Sequence, residues 1–410
     1  MKRYVIIGGG IAGVSCVEGI RSADAEGSVT LVCAEAHSNY GRPLISYYLE
    51  GRTDPERMSY RGADFYEKNR VRVLHGVSVS AIDPTAKRVT LSDTAALDYD
   101  ALCICTGSRP AVPKFPGLDT VEHCFTFTTM ADALALEKTV TKESRVLIIG
   151  AGFIGLKCAE GLLRRAGSVT VCDMAGHVMP ANLDADSAAI LQRHLEASGL
   201  RLILGDSVKR FSGGTAELQS GGTEAFDVLV IAAGVRPETK LFTDAGGSVG
   251  RGIPVDETMK TALPDIWAAG DCTESVDLTT GKADVLAVLP NACMGGRCAG
   301  ANMAGGSAKF DKGVKMNSIG FFGLHIMSAG TCTDCVYAEV TETGCRKLFA
   351  SDGVLKGFIL IGDVHAAGVY TAMIRNRTPL ADVDFEALKR EPSLYPFGRK
   401  LRAQKLGGVV

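Results

Sequence analysis

Short aliphatic runs alternate with amphipathic stretches along most of the chain. Val5-Ile6-Ile7 is a β-branched run of the kind that a buried parallel strand carries. Residues 14–22 read as a short helix and 29–33 as a second strand, with Glu35 just beyond it. The plan returns later, with Arg145–Ile149 as a strand, 153–166 as a helix, 169–172 as a strand and Asp173 at its end. Residues 71–74 and 77–79 read as strands, and 87–91 alternates like a half-exposed hairpin strand. Another buried strand, 99–105, ends at Thr106-Gly107-Ser108-Arg109-Pro110, and Pro110, Pro113 and Pro116 mark 110–120 as a linker. In the second block 184–198 reads as a helix, and the apolar strand 227–233 ends at Gly234-Val235-Arg236-Pro237. A third strand of this kind precedes Ala268-Ala269-Gly270-Asp271 and returns the chain to the first domain, and a helix over 292–303 follows. From about 312 the pattern turns to short alternating segments, 347–349 and 355–361, and a helix near 365–376. The basic tail, 391–410, reads as surface-bound or loosely ordered.

What closes the two leading strands gives them a meaning. Ile6-Ile7-Gly8-Gly9-Gly10-Ile11-Ala12-Gly13 is echoed by Ile148-Ile149-Gly150-Ala151-Gly152-Phe153-Ile154-Gly155. Cys16, Glu18 and Gly19 recur as Cys158, Glu160 and Gly161, and Gly27-Ser28-Val29-Thr30 recurs as Gly167-Ser168-Val169-Thr170. A G-x-G-x-x-G between strand and helix is the phosphate turn of a dinucleotide site. Its first glycine permits the tight turn, its second leaves the backbone open to a pyrophosphate, and its third lets the helix pack on the sheet. The helix N-terminus then offers N–H groups to the phosphates. An acid about 20 residues further on accepts hydrogen bonds from a ribose diol, and Glu35 and Asp173 stand there. A carboxylate at Asp173 repels a 2′-phosphate, and no arginine follows in Met174-Ala175-Gly176-His177, which favours NADH over NADPH. Arg164 and Arg165 are expected on the solvated face of the second helix.

The expected fold is α/β, with two Rossmann-like dinucleotide-binding domains and a small α+β C-terminal domain. The first domain takes 1–115 and 241–311, the second 116–240, and the C-terminal domain 312–410. Two dinucleotides in one chain imply electrons passed between them. A net charge of −2 gives no pull toward nucleic acid or an anionic membrane, and no apolar run is long enough to span a bilayer. Met1-Lys2-Arg3 and the residues after it imitate a signal peptide, but the apolar stretch is the glycine turn itself. The chain is therefore expected in the cytoplasm. Its 13 cysteines are scattered, and Cys33, Cys103, Cys105, Cys158 and Cys172 fall in apolar patterns, as buried reduced thiols do. Cys332-x-x-Cys335, with Cys345 beyond, is the one cluster with a redox or metal spacing. Without a fourth ligand or a second such pair, ordinary thiols are the better reading and no metal is expected.

These residues together resemble the FAD-dependent pyridine-nucleotide-disulfide oxidoreductases over nearly the whole chain. The likeness rests on both glycine turns and, in order, on Thr106-Gly107-Ser108-Arg109-Pro110, Gly234-Val235-Arg236-Pro237 and Ala268-Ala269-Gly270-Asp271. Tyr40-Gly41-Arg42-Pro43-Leu44 and Arg251-Gly252-Ile253-Pro254-Val255-Asp256 look most like the branch of NADH:rubredoxin reductases, NADH oxidases and nitrite reductase FAD domains. The resemblance implies FAD on the first turn (Gly8, Gly10, Ile11, Ala12, Gly13) and NAD on the second (Gly150, Gly152, Phe153, Ile154, Gly155). It further implies Glu35 at the FAD ribose, Arg42 and Pro43 along the phosphates and flavin, and Val79 at the adenine. Thr106, Gly107 and Arg109 would close over the FAD, Asp271 would bond its ribityl chain or a phosphate, and Leu289 and Pro290 would approach the flavin ring. Asp173, Gly234 and Val235 would serve the NAD.

Two departures from the family pattern matter. Family members that act on disulfides, peroxides or CoA-disulfides carry cysteine soon after the first turn, whereas 40–46 here is Tyr-Gly-Arg-Pro-Leu-Ile-Ser. The position often held by glutamate after Gly155-Leu156 is Lys157. A lysine at the flavin–nicotinamide junction would stabilise anionic reduced flavin; the alternative is a solvated helix residue. The implied function is an NADH oxidoreductase that passes hydride to FAD and then electrons to a small iron–sulfur protein such as rubredoxin or ferredoxin, as a monomer or homodimer. The rivals are a peroxide-forming NADH oxidase, a flavin subunit of a larger complex such as a nitrite reductase or carbon monoxide dehydrogenase system, and an NADH-sensing flavoprotein that is not an enzyme.

Overall fold

Arg3–Ile7, fully apolar after its first residue and buried, lies at the centre of a five-stranded parallel sheet. The order is Val71–His75, Ser28–Cys33, Arg3–Ile7, Ala101–Ile104, Ile266–Ala268. A second sheet has Arg201–Leu204, Ser168–Asp173, Arg145–Ile149, Val228–Ile231 and Cys124–Phe125 in the corresponding order. The repeat in the sequence is thus a repeat of topology, and Ile266–Ala268 does return the chain to the first sheet. These observations come from a computed structural model, which describes residues 1–37, 39–399 and 402–403. Of the tail 391–410, residues 400, 401 and 404–410 lie outside the described residues.

The duplication extends beyond the glycines. Arg3 opens one central strand and Arg145 the other, and each is met by the aspartate preceding the neighbouring strand. The Arg3 backbone N–H and side chain donate to Asp100 at 2.7 and 3.0 Å, and those of Arg145 to Asp227 at 2.7 and 2.7 Å. Both carboxyls are held down at about 2 by these hydrogen bonds. A three-stranded antiparallel sheet is inserted between strands of each parallel one: Val79–Asp83, Arg88–Leu91, Ala96–Asp98 and Val208–Ser212, Thr215–Leu218, Thr223–Ala225. The strand expected over 77–79 therefore begins two residues later than its alternation suggests, at Val79. Ser108–Pro110 and Val235–Pro237 pair with each other as an antiparallel ribbon.

The chain divides into two compact units. One holds Met1–Met174, Leu200–Asp277 and Lys282–Gly313, and so contains both parallel sheets. The other holds Ala175–Gly199, Leu278–Gly281 and Val314–Val410. It is built on an antiparallel sheet ordered Met316–Phe321, Leu324–Gly330, Val354–Ile361, Cys345–Ser351, Cys335–Val340. Leu348, Phe358 and Leu360 on that sheet share a core with Tyr370 and Met373 of the helix Ala367–Arg375. The helix Ala185–Ala197, read from the sequence as part of the second nucleotide domain, clusters with this sheet instead. No helix among the described residues is long and apolar enough to cross a membrane.

Candidate functional site

The two glycine turns have nearly the same geometry. Gly8 and Gly150 have φ of +112° and +114°, and a Cβ there would lie 2.1 Å from the Cys105 carbonyl oxygen and 2.3 Å from that of Ala232. Only glycine fits such a turn. A Cβ on Gly13 or Gly155 would lie 2.0 or 1.9 Å from the carbonyl oxygen of Gly8 or Gly150, so the helix can seat on its own turn only without one. Gly10 and Gly152 differ: their φ values are −75° and −83°, and a Cβ on either meets nothing within 4 Å. They are also the N-caps of Ile11–Ala23 and Phe153–Leu163, and no side chain caps either helix. An uncapped helix start beside an open backbone fits a pyrophosphate.

Around the first turn the parallel register brings together four strand ends. Ile7 pairs with Val32 and Ile104, and Ile104 with Ala268, so Gly8, Glu35, Thr106 and Asp271 follow carboxyl ends of neighbouring strands. Glu35 accepts from the Tyr40 hydroxyl at 2.6 Å and pairs with Arg42. Arg42 also donates to the Thr128 carbonyl at 2.9 Å, and the Tyr40 hydroxyl accepts from the Met130 N–H at 3.1 Å. Burial pushes the Asp271 carboxyl up, against the Ser108 hydroxyl that donates to it at 3.1 Å. A carboxylate so placed suits two hydroxyls of a polyol. Thr106 donates to the Glu238 carbonyl at 2.6 Å, Gly107 has φ +70°, and Arg109 pairs with Glu238 at 3.1 Å. Val79 is buried at the start of its hairpin. Leu289 and Pro290, both exposed, open the helix Leu289–Met303. That helix is seated on the first glycine helix: a Cβ on Gly296 or Gly300 would lie 2.2 Å from the Ala12 carbonyl oxygen or 2.1 Å from that of Cys16.

Around the second turn, Ile149 pairs with Cys172 and Ile231, which places Gly150, Asp173 and Gly234 at neighbouring strand ends. Asp173 accepts from the Ala151 N–H at 2.6 Å. Gly234 has φ +99°, and Val235 is exposed. The glycine helix ends at Leu163 rather than 166. Arg165 therefore lies beyond it and is not a solvated helix residue, because it bonds the Leu49 carbonyl and pairs with Glu137 at 3.0 Å. Arg164 is exposed.

Lys157 is not solvated either. It is only 9% exposed, pairs with Glu160, lies 3.9 Å from Glu50 Oε1, and sits 4.6 Å from the centre of the Tyr47 ring. Arg52 stands over the same ring at 4.6 Å and pairs with Glu50 at 3.2 Å. Sequence reasoning singled out Lys157 but missed Tyr47, Glu50 and Glu160, and it missed Ser108 as the partner of Asp271. The repeat of Glu18 as Glu160 was the only signal pointing to that carboxylate.

The thiols lie apart from these sites in kind. All 13 are free, and Cys33, Cys103, Cys105, Cys158 and Cys172 are buried. Burial drives the Cys272 thiol up to about 12. Cys332 and Cys335 are exposed, and among the described residues no group of three or more His, Cys, Asp or Glu could hold a metal.

Comparison with known proteins agrees with this geometry. Residues 2–296 match the family described as pyridine nucleotide-disulphide oxidoreductase. The NADH-dependent phenylglyoxylate dehydrogenase subunit epsilon of Aromatoleum evansii is 31% identical over 391 residues, 92% of each chain. The nitric oxide reductase FlRd-NAD(+) reductase of Aeromonas hydrophila is 31% identical over 67% of this chain and 71% of its own. Among solved structures, the covalent putidaredoxin reductase–putidaredoxin complex superposes with a TM-score of 0.88 at 23% identity, covering 100% of this chain and 99% of that one.

Proposed function

The chain belongs to the pyridine nucleotide-disulphide oxidoreductase family, and from that premise we propose that it is an NADH:acceptor reductase whose electrons leave to a small iron–sulfur protein. The observation that carries this reading is the pair of open, uncapped glycine turns within one compact unit. The family uses FAD and NADH. In this reading Gly8–Gly13 with Glu35, Arg42, Pro43, Val79, Thr106, Gly107, Arg109, Asp271, Leu289 and Pro290 hold FAD. Gly150–Gly155 with Asp173, Gly234 and Val235 hold NADH. Bound FAD supplies the change from two-electron uptake to one-electron release.

The side chains then have work in binding and placement rather than acid–base chemistry. The glycine turns and helix N-termini take the phosphates. Glu35 and Asp173 accept ribose hydroxyls, and the Asp173 charge turns away a 2′-phosphate. Holding two ring systems at reacting distance accounts for most of the rate in a hydride transfer that needs no side-chain proton. Lys157 adds a buried positive charge on the helix that starts at the second turn. The stretch 40–46 holds no cysteine, so nothing there relays electrons as a thiol. The name of the Aeromonas relative, an FlRd-NAD(+) reductase, also supports a redox protein as acceptor. Thirteen free cysteines suit the reducing cytoplasm.

A second reading is a flavin subunit of a larger dehydrogenase. It is favoured by the Aromatoleum relative, which matches over 92% of both chains and is named as a subunit. One experiment separates the readings: anaerobic NADH oxidation by FAD-loaded protein with rubredoxin or ferredoxin added, against an aerated sample without either. Fast reduction of the iron–sulfur protein supports the proposal. Fast oxygen use with an idle iron–sulfur protein makes the chain an oxidase. Turnover with neither, restored by copurifying subunits, makes it part of a complex.

A further inference from the structure

Glu35 and Asp173 stand at equivalent places beyond the two glycine turns, yet they are held in different ways. Asp173 accepts from the Ala151 N–H of its own turn at 2.6 Å. Glu35 has one more methylene, and two side chains that follow it along the chain hold it. The Tyr40 hydroxyl donates to Oε2 at 2.6 Å, and Arg42 pairs with Oε1. The family resemblance assigns Arg42 to the phosphates and flavin, and it gives Tyr40 no role.

Both side chains are themselves fixed from a second place. The Tyr40 hydroxyl accepts from the Met130 N–H at 3.1 Å, and Arg42 donates to the Thr128 carbonyl at 2.9 Å. Met130 opens the helix Met130–Thr139, so its N–H is one of those that a helix leaves without an acceptor of its own. A capping box closes this helix start. The Asp132 N–H donates to Thr129 Oγ1 at 3.1 Å, and the Thr128 and Thr129 N–H groups donate to Asp132 Oδ2 at 2.7 and 3.0 Å. The direction of the relay is forced. An amide N–H only donates and an ionised carboxylate only accepts, so the Tyr40 proton goes to Glu35. Tyr40 is 9% exposed, and burial pushes its hydroxyl up, which keeps that proton in place. The Asn39 N–H donates to the Gly9 carbonyl at 3.0 Å, which ties the residue before Tyr40 to the first glycine turn.

We propose that Tyr40 is a positioning residue for FAD: with Arg42 as a second arm, and from a base at residues 128–130, it sets Glu35 in the orientation that receives a ribose diol. The inference rests on the reading of Glu35 as the ribose carboxylate of the first site, and deepens it. An ionised carboxylate accepts about four hydrogen bonds. Tyr40 and Arg42 occupy one oxygen each and leave acceptor capacity on both, which matches two neighbouring hydroxyls. An unheld glutamate loses its side-chain freedom when a ligand binds, whereas a held one has lost it already. The ordering is thus complete before FAD arrives.

The test uses the full-length protein depleted of FAD, with FAD as the probe and quenching of its fluorescence as the readout. E35A raises Kd for FAD, and Y40F in the otherwise unaltered chain raises it on the order of tenfold. In the E35A background Y40F changes Kd by less than about twofold, because no carboxylate is left to hold. The Met130 amide, deprived of its acceptor, exchanges hydrogen faster in Y40F. A tyrosine that merely supports the fold gives the same factor in both backgrounds. Two results overturn the proposal: unchanged FAD affinity in Y40F, or an equal effect of Y40F with and without Glu35. If Y40F does not fold, R42M carries the same comparison on the more exposed arm, and an effect that persists in the E35A background overturns the proposal there. If E35A itself leaves FAD affinity unchanged, the reading of Glu35 fails, and the inference falls with it.

Discussion

Gly10 and Gly152 provide a test that separates binding from folding. Both have φ in the range that valine adopts readily, and a Cβ on either points into open space. Gly10→Val and Gly152→Val therefore change folding stability by no more than ~1 kcal/mol, the cost of a poorer N-cap offset in part by a less flexible unfolded chain. The added side chain does occupy the approach to the helix N-terminus. If it denies a pyrophosphate two N–H hydrogen bonds of ~1.5 kcal/mol each, binding loses ~3 kcal/mol, on the order of a 100-fold rise in Kd. Gly10→Val should then purify with little FAD. Gly152→Val should keep its FAD and need far more NADH to reduce it. Gly8→Ala is the control, because its Cβ would lie 2.1 Å from the Cys105 oxygen at φ +112°, and it should lose stability outright. The assays are flavin absorbance per protein, thermal unfolding, and anaerobic stopped-flow reduction at a series of NADH concentrations. If Gly152→Val loses FAD while Gly10→Val keeps it and needs more NADH to reduce it, the two turns have been assigned the wrong way round. If Gly10→Val holds FAD normally, the first turn is not the phosphate site.

Four further outcomes are expected. K157M, which removes one charged partner of the buried Glu160, should lower stability in urea unfolding by up to about 3–5 kcal/mol, and K157M/E160Q should recover more than half of the loss; a loss under ~1 kcal/mol would mean that the pair contributes little in solution. Asp173→Ser should raise the preference for NADPH relative to NADH at least about tenfold in kcat/KM ratios, and an unchanged ratio would count against the charge argument. Asp100 and Asp227 titrate at about 2 when folded, below the ~3.9 of an unfolded aspartate, so their contribution is present above about pH 4 and is lost as pH falls from there toward 2. Because Arg3 and Arg145 are about half exposed, D100N and D227N should flatten that acid limb only slightly, and added salt should shrink the difference; an unaltered limb in both variants would refute the assignment. Gly19→Ala should destabilise by more than Gly161→Ala on thermal unfolding, because its Cβ would lie 2.2 Å from a backbone oxygen rather than 3.1 Å from a side chain and an oxygen; equal effects would contradict the packing described.

The glycine turns and the return of the chain through Ala268-Ala269-Gly270-Asp271 were legible because they answer demands that the backbone makes locally, and Glu35 and Asp173 because they stand at a fixed spacing beyond those turns. A turn at φ +112° or a helix seated on a carbonyl oxygen admits glycine alone, and the spacing follows from strand and helix lengths. Contacts set by tertiary packing were not legible. Arg165 looks like a helix residue by periodicity, yet the helix stops at Leu163 and the side chain turns to the Leu49 carbonyl and Glu137. Lys157 had two readings from sequence because neither Tyr47 nor Glu50 is a neighbour along the chain. The helix Ala185–Ala197 has the right place in the sequence for the second nucleotide domain, but Lys347, which pins it, lies more than 150 residues away.

The two copies of the repeat also diverge at a position that the sequence presents as identical. Gly19 and Gly161 hold the same place on the two glycine helices. A Cβ on Gly19 would lie 2.2 Å from the Arg297 carbonyl oxygen and 2.9 Å from the Ala301 nitrogen, so the first helix packs on Leu289–Met303, a later segment of its own discontinuous domain. A Cβ on Gly161 would lie 3.1 Å from the Leu49 side chain and from the Ser46 carbonyl oxygen, so the second helix packs on Ile45–Leu49, a segment that follows Glu35. The carboxylates beside these glycines follow suit. Glu18 pairs with Arg61 and Arg297, whereas Glu160 pairs with Lys157 near Tyr47 and Glu50. The same small residue thus seats one glycine helix on the later helix Leu289–Met303 and the other on Ile45–Leu49. That second use is what brings a buried lysine on the second glycine helix against the segment following Arg42 and Pro43, which resemblance assigns to the flavin.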